Sequence, residues 1–490
     1  MLLSLVSHKD FDNKTRSIAA YSLFRSRPGK DQVTKITEIL VDVVRNDVTE
    51  EEEDFAKYLI LSLRFLKSAP YSPKEVEFVN TTLDFSQAID LISTLQFYDF
   101  KTMDDLDYLL KFAADPNGNV ALTAASVLKS IKHDKRILVG KYPIIKKLID
   151  SSLKNPVLTE ELMSAAFNLF QEQKVELFKE YSSRLNQLSF IGLVGKYPEL
   201  INNPLDSLIS IYFSGNESIK LASASAISEI KKSGRDSLRI QKFATSQFTS
   251  GFASVVSTFC ELLDSTFIIE NRSMLSNLIL KVINDELNNP NFLEAHQSLL
   301  KLCEIIGSDF STSMKELFVN SAIRSIKALS GMEVLPSLNQ NFDEIWNNAF
   351  KYKKAEIETD YGTIKLELYP EYAPVSVGNF CSLSQTSYYR GVPFHRVVPG
   401  FVIQAGDPTG TGWGGPGYDI VSEYSPLEYT PGGLGMASAG KDTEGSQFFV
   451  MTGTFPHLNS RYSLFGRVIE GQDVASSVTQ QSTIKKITLY

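Results

Sequence analysis

Side chains capable of chemistry are mostly isolated from one another in this 490-residue chain. Cys260, Cys303 and Cys381 are far apart and make no Cys-x-x-Cys pair, so neither a disulfide framework nor a structural zinc site follows, and each reads as a small buried apolar residue. His8, His133, His296, His395 and His457 show no metal-ligand spacing, and no metal or cofactor is expected. The glycine string GTGWGGPGY at 410–418 has no Gly-Lys-Ser/Thr after it and opens no helix, so it does not read as a phosphate cradle. One stretch differs. In FHRVVPGFVIQAG, 394–406, Pro399-Gly400 is a turn dipeptide, so the strand carrying Arg396 folds back beside the one carrying Gln404 and brings the two within reach. Arginine offers a fixed cation with several N–H groups in a rigid fork, which makes this hydrogen-bond donor chemistry. His395 precedes Arg396, points to the opposite strand face, and reads as structural and not as a general base. Taken alone, Arg396 also fits a surface charge, and Phe401 and Phe449 fit core aromatics.

The elements that must position these residues follow two different grammars. Before residue 350, apolar residues recur at helical spacing between short Pro, Gly, Asn and Asp punctuation; after it come short β-branched and aromatic runs and most of the 28 glycines. In the second region, Ile364, Leu366 and Leu368 alternate with polar residues around a turn at Tyr361-Gly362, which predicts a hairpin. Pro374 opens a helix carrying Val377, Phe380, Cys381 and Leu383, and short strands follow at 394–398, 401–406, 446–452 and 464–468. A second helix at 471–478 and a closing strand at 483–490 complete the pattern of a closed or nearly closed barrel.

The helical region is weakly self-similar. Segments 2–24, 106–131 and 205–230 each read as an apolar helix, a polar turn and a helix with paired small residues: Ala19 and Ala20, Ala124 and Ala125, Ala222 and Ala224. A looser copy runs over 142–170 with Ala165 and Ala166, and 55–66 and 296–329 supply further helices. These units resemble HEAT-type helical repeats, which stack into a solenoid; an irregular all-helical bundle is the alternative. Met1 directly precedes the first helix without a polar capping unit, and one hypothesis is that the chain lacks an upstream segment of a longer protein, of which a targeting signal could be part. The acidic run 50–54 reads as a solvated helix start. Between the regions, Pro336 ends the helical part and Trp346 is expected to anchor the junction.

Composition narrows the function classes. With 43% hydrophobic and 22% charged residues the chain is ordinary globular protein of two to four domains. Its 49 Lys+Arg against 57 Asp+Glu leave a charge of -8, which suits nucleic-acid binding poorly. No apolar run reaches the ~18 residues of a membrane span, and the start has no basic region or cleavage site of a signal peptide. A cytoplasmic location fits the chain as it stands, and an exported or periplasmic one fits if a leader has been lost; the compartment stays open.

Four strings carry a resemblance: GTIKLELYPEYAPVSVGNF, FHRVVPGFVIQAGDPTGTG, GMASAGKDTEGSQFFVMT and HLNSRYSLFGRVIEG. Over 355–490 the chain resembles a cyclophilin, a peptidyl-prolyl cis-trans isomerase, and with its helical region it resembles large bacterial cyclophilins. The resemblance implies an eight-stranded barrel capped by two helices, and gives three parts: a HEAT-like region at 1–335, a linker at 336–354 and the isomerase domain at 355–490. It implies that Arg396 is catalytic, that Gln404 orients it and the substrate carbonyl, and that the backbone N–H of Ser438 holds that carbonyl. Phe401, Val402, Phe449, Leu458 and Tyr462 correspond to the apolar floor under the proline ring, with His457 beside them. Gly410, Ala437, Ala439 and Gln447 correspond to the pocket for the preceding residues.

The implied chemistry is physically sparing. Resonance stiffens an X–Pro bond to a barrier of roughly 18–20 kcal/mol, and rotation returns a lone pair to the nitrogen, so a donor aimed there counts more in the transition state. An acceleration of 10⁵ to 10⁶ needs about 7–8 kcal/mol. One charge-assisted hydrogen bond supplies about 1.5–3 kcal/mol, so desolvation and pocket shape must supply the rest.

Four positions depart from the best-known cyclophilin pattern. Ser438 stands for Asn, Val402 for Met, His457 for the Trp that contacts cyclosporin, and Tyr462 for His; weak cyclosporin binding is expected. The function these signals imply is isomerisation of X–Pro bonds in proline-containing polypeptide clients, with the helical repeats binding the client or a protein partner. The alternatives are a scaffold whose barrel only binds proline segments, and a solenoid chaperone.

Overall fold

The computed structural model describes residues 2–7, 10–45, 53–69, 71–79, 85–131, 135–289, 292–321, 324–330 and 342–490. The readings made for Met1, His8, His133, most of the 50–54 run and Pro336 lie outside the described residues. The chain forms two compact units: 1–186 with 398–402 and 452–454, and 187–397 with 403–451 and 455–490.

The helices of the first unit include Asn13–Arg25, Glu53–Phe65, Met103–Ala113, Gly118–Ser130, Tyr142–Ser152 and Pro156–Leu169. Side-chain caps define their starts. Asp12 accepts the Thr15 N–H, Thr102 and Asp105 exchange bonds in a capping box, and Asn155 accepts the Leu158 N–H ahead of a helix opened by Pro156. The paired alanines Ala19 and Ala20, Ala124 and Ala125, and Ala165 and Ala166 are all buried, which lets neighbouring helices approach closely. Polar ties recur at one offset: Lys141 Nζ to Asp107 at 2.5 Å, Lys146 Nζ to Glu180 at 2.5 Å and Arg184 to Asp150 at 2.7 Å each join residues 34 apart.

The second unit begins with helices of the same kind. Ser321 Oγ donates to the Leu287 carbonyl 34 residues away. Helices Gln187–Lys196 and Glu217–Lys232 meet where a Cβ on Gly195 would come within 2.7 Å of Ala226 Cα. The buried small pair of this copy is Ala224 and Ala226; Ala222, expected there, is only half-buried, because the contact lies on the next turn of the helix. All three cysteines are free and buried.

The rest of the second unit is built on one sheet of eight strands: β1 (Lys354–Thr359), β2 (Gly362–Leu368), β3 (Arg396–Val398), β4 (Val402–Ala405), β5 (Gly433–Met436), β6 (Phe448–Met451), β7 (Leu464–Glu470) and β8 (Ile484–Leu489). Their order is β3-β4-β6-β5-β7-β2-β1-β8. The two ends of this order meet: 391–394 exchanges backbone bonds with 481–484, including Phe394 N–H to the Ser482 carbonyl at 2.8 Å and Ile484 N–H to the Val392 carbonyl at 3.0 Å. These bonds tie the two ends of the sheet together at one place and leave it curled into a half-barrel. Ile357, Ile364, Leu366, Phe448, Val450 and Phe465 fill its core, with the helix Pro374–Gln385 packed on it through Phe380. Strand β5 was not anticipated, because GGLGM carries neither alternation nor β-branched residues.

Part of the stretch expected to be a linker is the helix Phe342–Ala349. Ile345, not Trp346, is its anchor. Ile345 is buried in the core cluster, and its carbonyl lies only 1.9 Å from where a Cβ of Gly378 would stand, so only glycine permits this approach. Trp346 instead lies exposed between Phe342 and Phe350.

Candidate functional site

Alternation along three neighbouring strands sorts core from site. On β4, Ile403 and Ala405 enter the core, so Val402 and Gln404 face out. On β6, Phe448 and Val450 enter the core, so Phe449 and the preceding Gln447 share the outer face. On β5, Leu434 and Met436 point in, leaving Gly435 and Ala437 outside.

Arg396 opens β3 and is exposed, whereas its neighbour His395 is buried on the other face, as expected from the strand period. Burial, with a smaller contribution from the Arg396 charge, holds the His395 imidazole below its ordinary pKa. The predicted turn is present: the Phe401 N–H donates to the Val398 carbonyl at 2.9 Å, and Gly400 supplies the positive φ of 70° needed at the third position.

Gln404 belongs to a chain of carboxamides. Its Nε2 donates to Gln447 Oε1 at 3.0 Å, and Gln447 Nε2 donates to the carbonyls of Gly412 and Gly414 at 2.9 Å each. Both donors of Gln447 are thus committed to the glycine loop, which fixes its Oε1 as the acceptor and leaves Gln404 with its own Oε1 as acceptor toward the site. The loop is held from the other side by Asp407, fully buried, which accepts from Thr409 N at 2.7 Å, Thr411 N at 2.9 Å and Gly412 N at 2.5 Å. Gly410 sits within it at φ 69°, its absent Cβ leaving room for Pro393.

The 437–443 loop is bonded on both sides of one gap. The Ala437 N–H donates to the Gln447 carbonyl at 2.9 Å, and the Ala439 N–H donates to Thr443 Oγ1 at 2.9 Å. Among the described residues the Ser438 N–H between them has no intramolecular acceptor. A backbone donor is left over on a loop whose neighbours are fixed.

Two aromatic rings pack against Phe449. Its ring lies 6.0 Å from Tyr462, edge to face, and 5.5 Å from Tyr429. Val402 and Leu458 are buried, Phe401 is half-buried, and His457 stands edge to face with Phe455. Three contributors escaped the sequence reading. Gly435 stands opposite Phe449, and a Cβ there would come within 2.4 Å of the Tyr429 hydroxyl and 2.6 Å of Phe449 Cζ. Tyr429 underlies Phe449, and nothing in its local sequence marks it. Asp407 was legible, since Asp before Pro-Thr-Gly is a sequence that folds its carboxylate back on its own backbone.

The stretch that contains the sheet is similar to known proteins. The family model described as "Cyclophilin type peptidyl-prolyl cis-trans isomerase/CLD" matches residues 354–488. Peptidyl-prolyl cis-trans isomerase B of Bacillus subtilis is 47% identical over 130 residues, which are 26% of this chain and 91% of that protein. Peptidyl-prolyl cis-trans isomerase A of Mycobacterium tuberculosis is 41% identical over 160 residues, covering 29% and 88%. A crystal structure of a Cryptosporidium parvum cyclophilin, obtained in the presence of the dipeptide Ala-Pro, is 37% identical, with a TM-score of 0.27 and coverage of 28% of this chain and 98% of that one. With nearly the whole of such relatives matched at this identity, the chain belongs to the cyclophilin-type peptidyl-prolyl cis-trans isomerases.

Proposed function

We propose that the site isomerises X–Pro bonds by donating hydrogen bonds, with Arg396 aimed at the prolyl nitrogen as it becomes pyramidal. The Ser438 N–H holds the carbonyl of the residue before proline. Gln404, oriented through Gln447, accepts from Arg396 and keeps the guanidinium on the substrate. The proline ring rests against Phe401, Val402, Phe449, Leu458 and Tyr462, with His457 at the rim. The pocket for the preceding residues is bounded by Gly410, Ala437, Ala439 and Gln447. Pre-set donors in an apolar setting lose little reorganisation energy when charge develops, which is where catalysis of this kind draws its advantage.

The observation that carries this reading is the Ser438 N–H, left without an acceptor between two neighbours that are both bonded. The Ala-Pro dipeptide present with the Cryptosporidium parvum cyclophilin supports prolyl peptides as the substrate class. The test is a prolyl isomerisation assay on the full chain: wild type accelerates the reaction, and Arg396→Ala lowers kcat/KM by about 100-fold or more. Equal activity in both overturns the assignment of Arg396. Wild type at the uncatalysed rate leaves a domain that only binds proline segments.

The helical region is proposed to be a HEAT-like array that engages the client or a protein partner, supported by its helix pairs tied at offsets of 34 residues. Tethering of that kind raises the local concentration of a weakly bound segment. Photo-crosslinking of an unfolded, proline-containing client tests it, with crosslinks expected on the helices; crosslinks confined to 354–490 refute it. Among the described residues no helix is long and apolar enough to cross a membrane.

A further inference from the structure

The helix Glu53–Phe65 carries two adjacent residues with buried polar ends, Lys57 and Tyr58, each only 2% exposed. An ammonium taken almost wholly out of water is costly unless bonded, and a core position on a packed helix is filled more cheaply by an aliphatic side chain. What these two residues touch explains their presence. Lys57 Nζ donates to the Gly400 carbonyl at 2.6 Å, and the Tyr58 hydroxyl donates to the Thr454 carbonyl at 2.8 Å. Both acceptors belong to the same compact unit as the helix, within its segments 398–402 and 452–454.

The two segments are also joined to each other. The Thr452 N–H donates to the Phe401 carbonyl at 2.8 Å. A Cβ on Gly453 would come within 2.2 Å of both Lys57 Nζ and the Gly400 oxygen, so glycine is what admits the ammonium here. Successive helical residues are turned by about 100°, which lets Lys57 grip one segment and Tyr58 the other. The helix itself is held in place. Arg16 of Asn13–Arg25 lies 4.3 Å over the Phe55 ring, and Tyr21 meets Tyr58 edge to face at 5.1 Å.

Segment 398–402 is the turn between Arg396 and Gln404, and it carries Phe401 and Val402. We infer that Lys57 and Tyr58 are positioning residues for prolyl-substrate binding: the helical region supplies the clamp that fixes the turn bearing Phe401. This inference rests on the isomerase reading given above. The peptide joining Gly400 to Phe401 is tied on its N–H side to the Val398 carbonyl and on its carbonyl side to Lys57. The charge-assisted bond to the Gly400 carbonyl is the second tie on that peptide, and with the first it sets where the Phe401 ring stands. Its loss weakens binding of substrate and transition state together, which raises KM and leaves kcat nearly unchanged.

The experiment uses the full chain and a proline-containing tetrapeptide, with kcat and KM measured separately for wild type, Lys57→Met and Tyr58→Phe. The expected result is a KM raised about three- to ten-fold for Lys57→Met and about two- to three-fold for Tyr58→Phe, with kcat within about two-fold of wild type. A purely structural role would reduce the fraction of folded enzyme, lowering apparent kcat at constant KM. That pattern, or kinetics equal to wild type in a folded variant, overturns the inference. Should Lys57→Met not fold, Tyr58→Phe decides alone, since it deletes one hydroxyl from a ring that stays in place. Wild type without activity would refute the isomerase reading itself and is told apart by the wild-type arm.

Discussion

The carboxamide of Gln404 donates to the carboxamide of Gln447 at 3.0 Å, across neighbouring strands β4 and β6. Gln447 has no donor to spare, because both its hydrogens hold the carbonyls of Gly412 and Gly414. One residue therefore sets both the polarity of Gln404 and the position of the glycine loop. Replacing it by Leu leaves those two carbonyls without a protein donor and lets Gln404 turn. At about 1–3 kcal/mol for each partly buried group left unsatisfied, Gln447→Leu is expected to lower kcat/KM by about 10- to 100-fold. Steady-state prolyl isomerisation on the folded variant checks this, and a loss under two-fold contradicts it.

Gly435 is defined by what surrounds it. Any Cβ there overlaps the Tyr429 hydroxyl and the end of the Phe449 ring, both of them buried. Gly435→Ala is expected to destabilise the chain by about 1–3 kcal/mol, as overpacked interiors do, and to push Phe449 toward the site. Denaturant unfolding followed by fluorescence gives the first number. A stability equal to wild type would mean that the rings do move.

His296 makes folding sensitive to acid. It is fully buried between Phe292 and Phe318, its Nε2 is 3.1 Å from the Glu286 carbonyl, and desolvation lowers its pKa to about 4. The unfolded chain, with an ordinary imidazole near 6.5, binds the proton first. Stability from this residue is therefore complete above pH 6.5 and is lost as pH falls toward 4, by up to about 3 kcal/mol. His296→Gln keeps a donor for Glu286 and removes the titration. The difference in unfolding free energy between wild type and variant is expected to shrink steadily between pH 7 and pH 4. A constant difference would show that the folded state takes up the proton as easily as the unfolded one.

His457 stands in the 3-10 turn Pro456–Leu458, where many cyclophilins carry the Trp that meets cyclosporin. Its smaller ring is half-buried beside Phe455 and offers less apolar area. Cyclosporin is expected to bind weakly, and His457→Trp to tighten it by at least about ten-fold, in line with the area a large aromatic adds. Calorimetric titration of both proteins measures it. Nanomolar binding by wild type would contradict the expectation.

Much was determined by local sequence. The alternation of Ile364, Leu366 and Leu368, the Pro399-Gly400 turn and the helix opened by Pro374 are short-range signals, because period and turn chemistry act between residues a few positions apart. The paired alanines were legible for the same reason, although the pair in the third copy lies two residues further on, at Ala224 and Ala226. Strand β5 was hidden, since a glycine-rich strand is stabilised by its neighbours and not by its own propensity. The helix Phe342–Ala349 misled through Trp346, because which face of an amphipathic helix is buried depends on its partner, here Gly378.

The donor network belonged to tertiary structure alone. No pattern in the chain joins Gln404 to Gln447, leaves the Ser438 N–H unbonded, or sets Lys57 against Gly400, 343 residues away. Hydrogen bonds are directional and reach about 3 Å, so they exist only once folding has brought distant backbone into register. Residue types and local spacing state which chemistry is available; the curled sheet and the packed helices decide which of those groups meet.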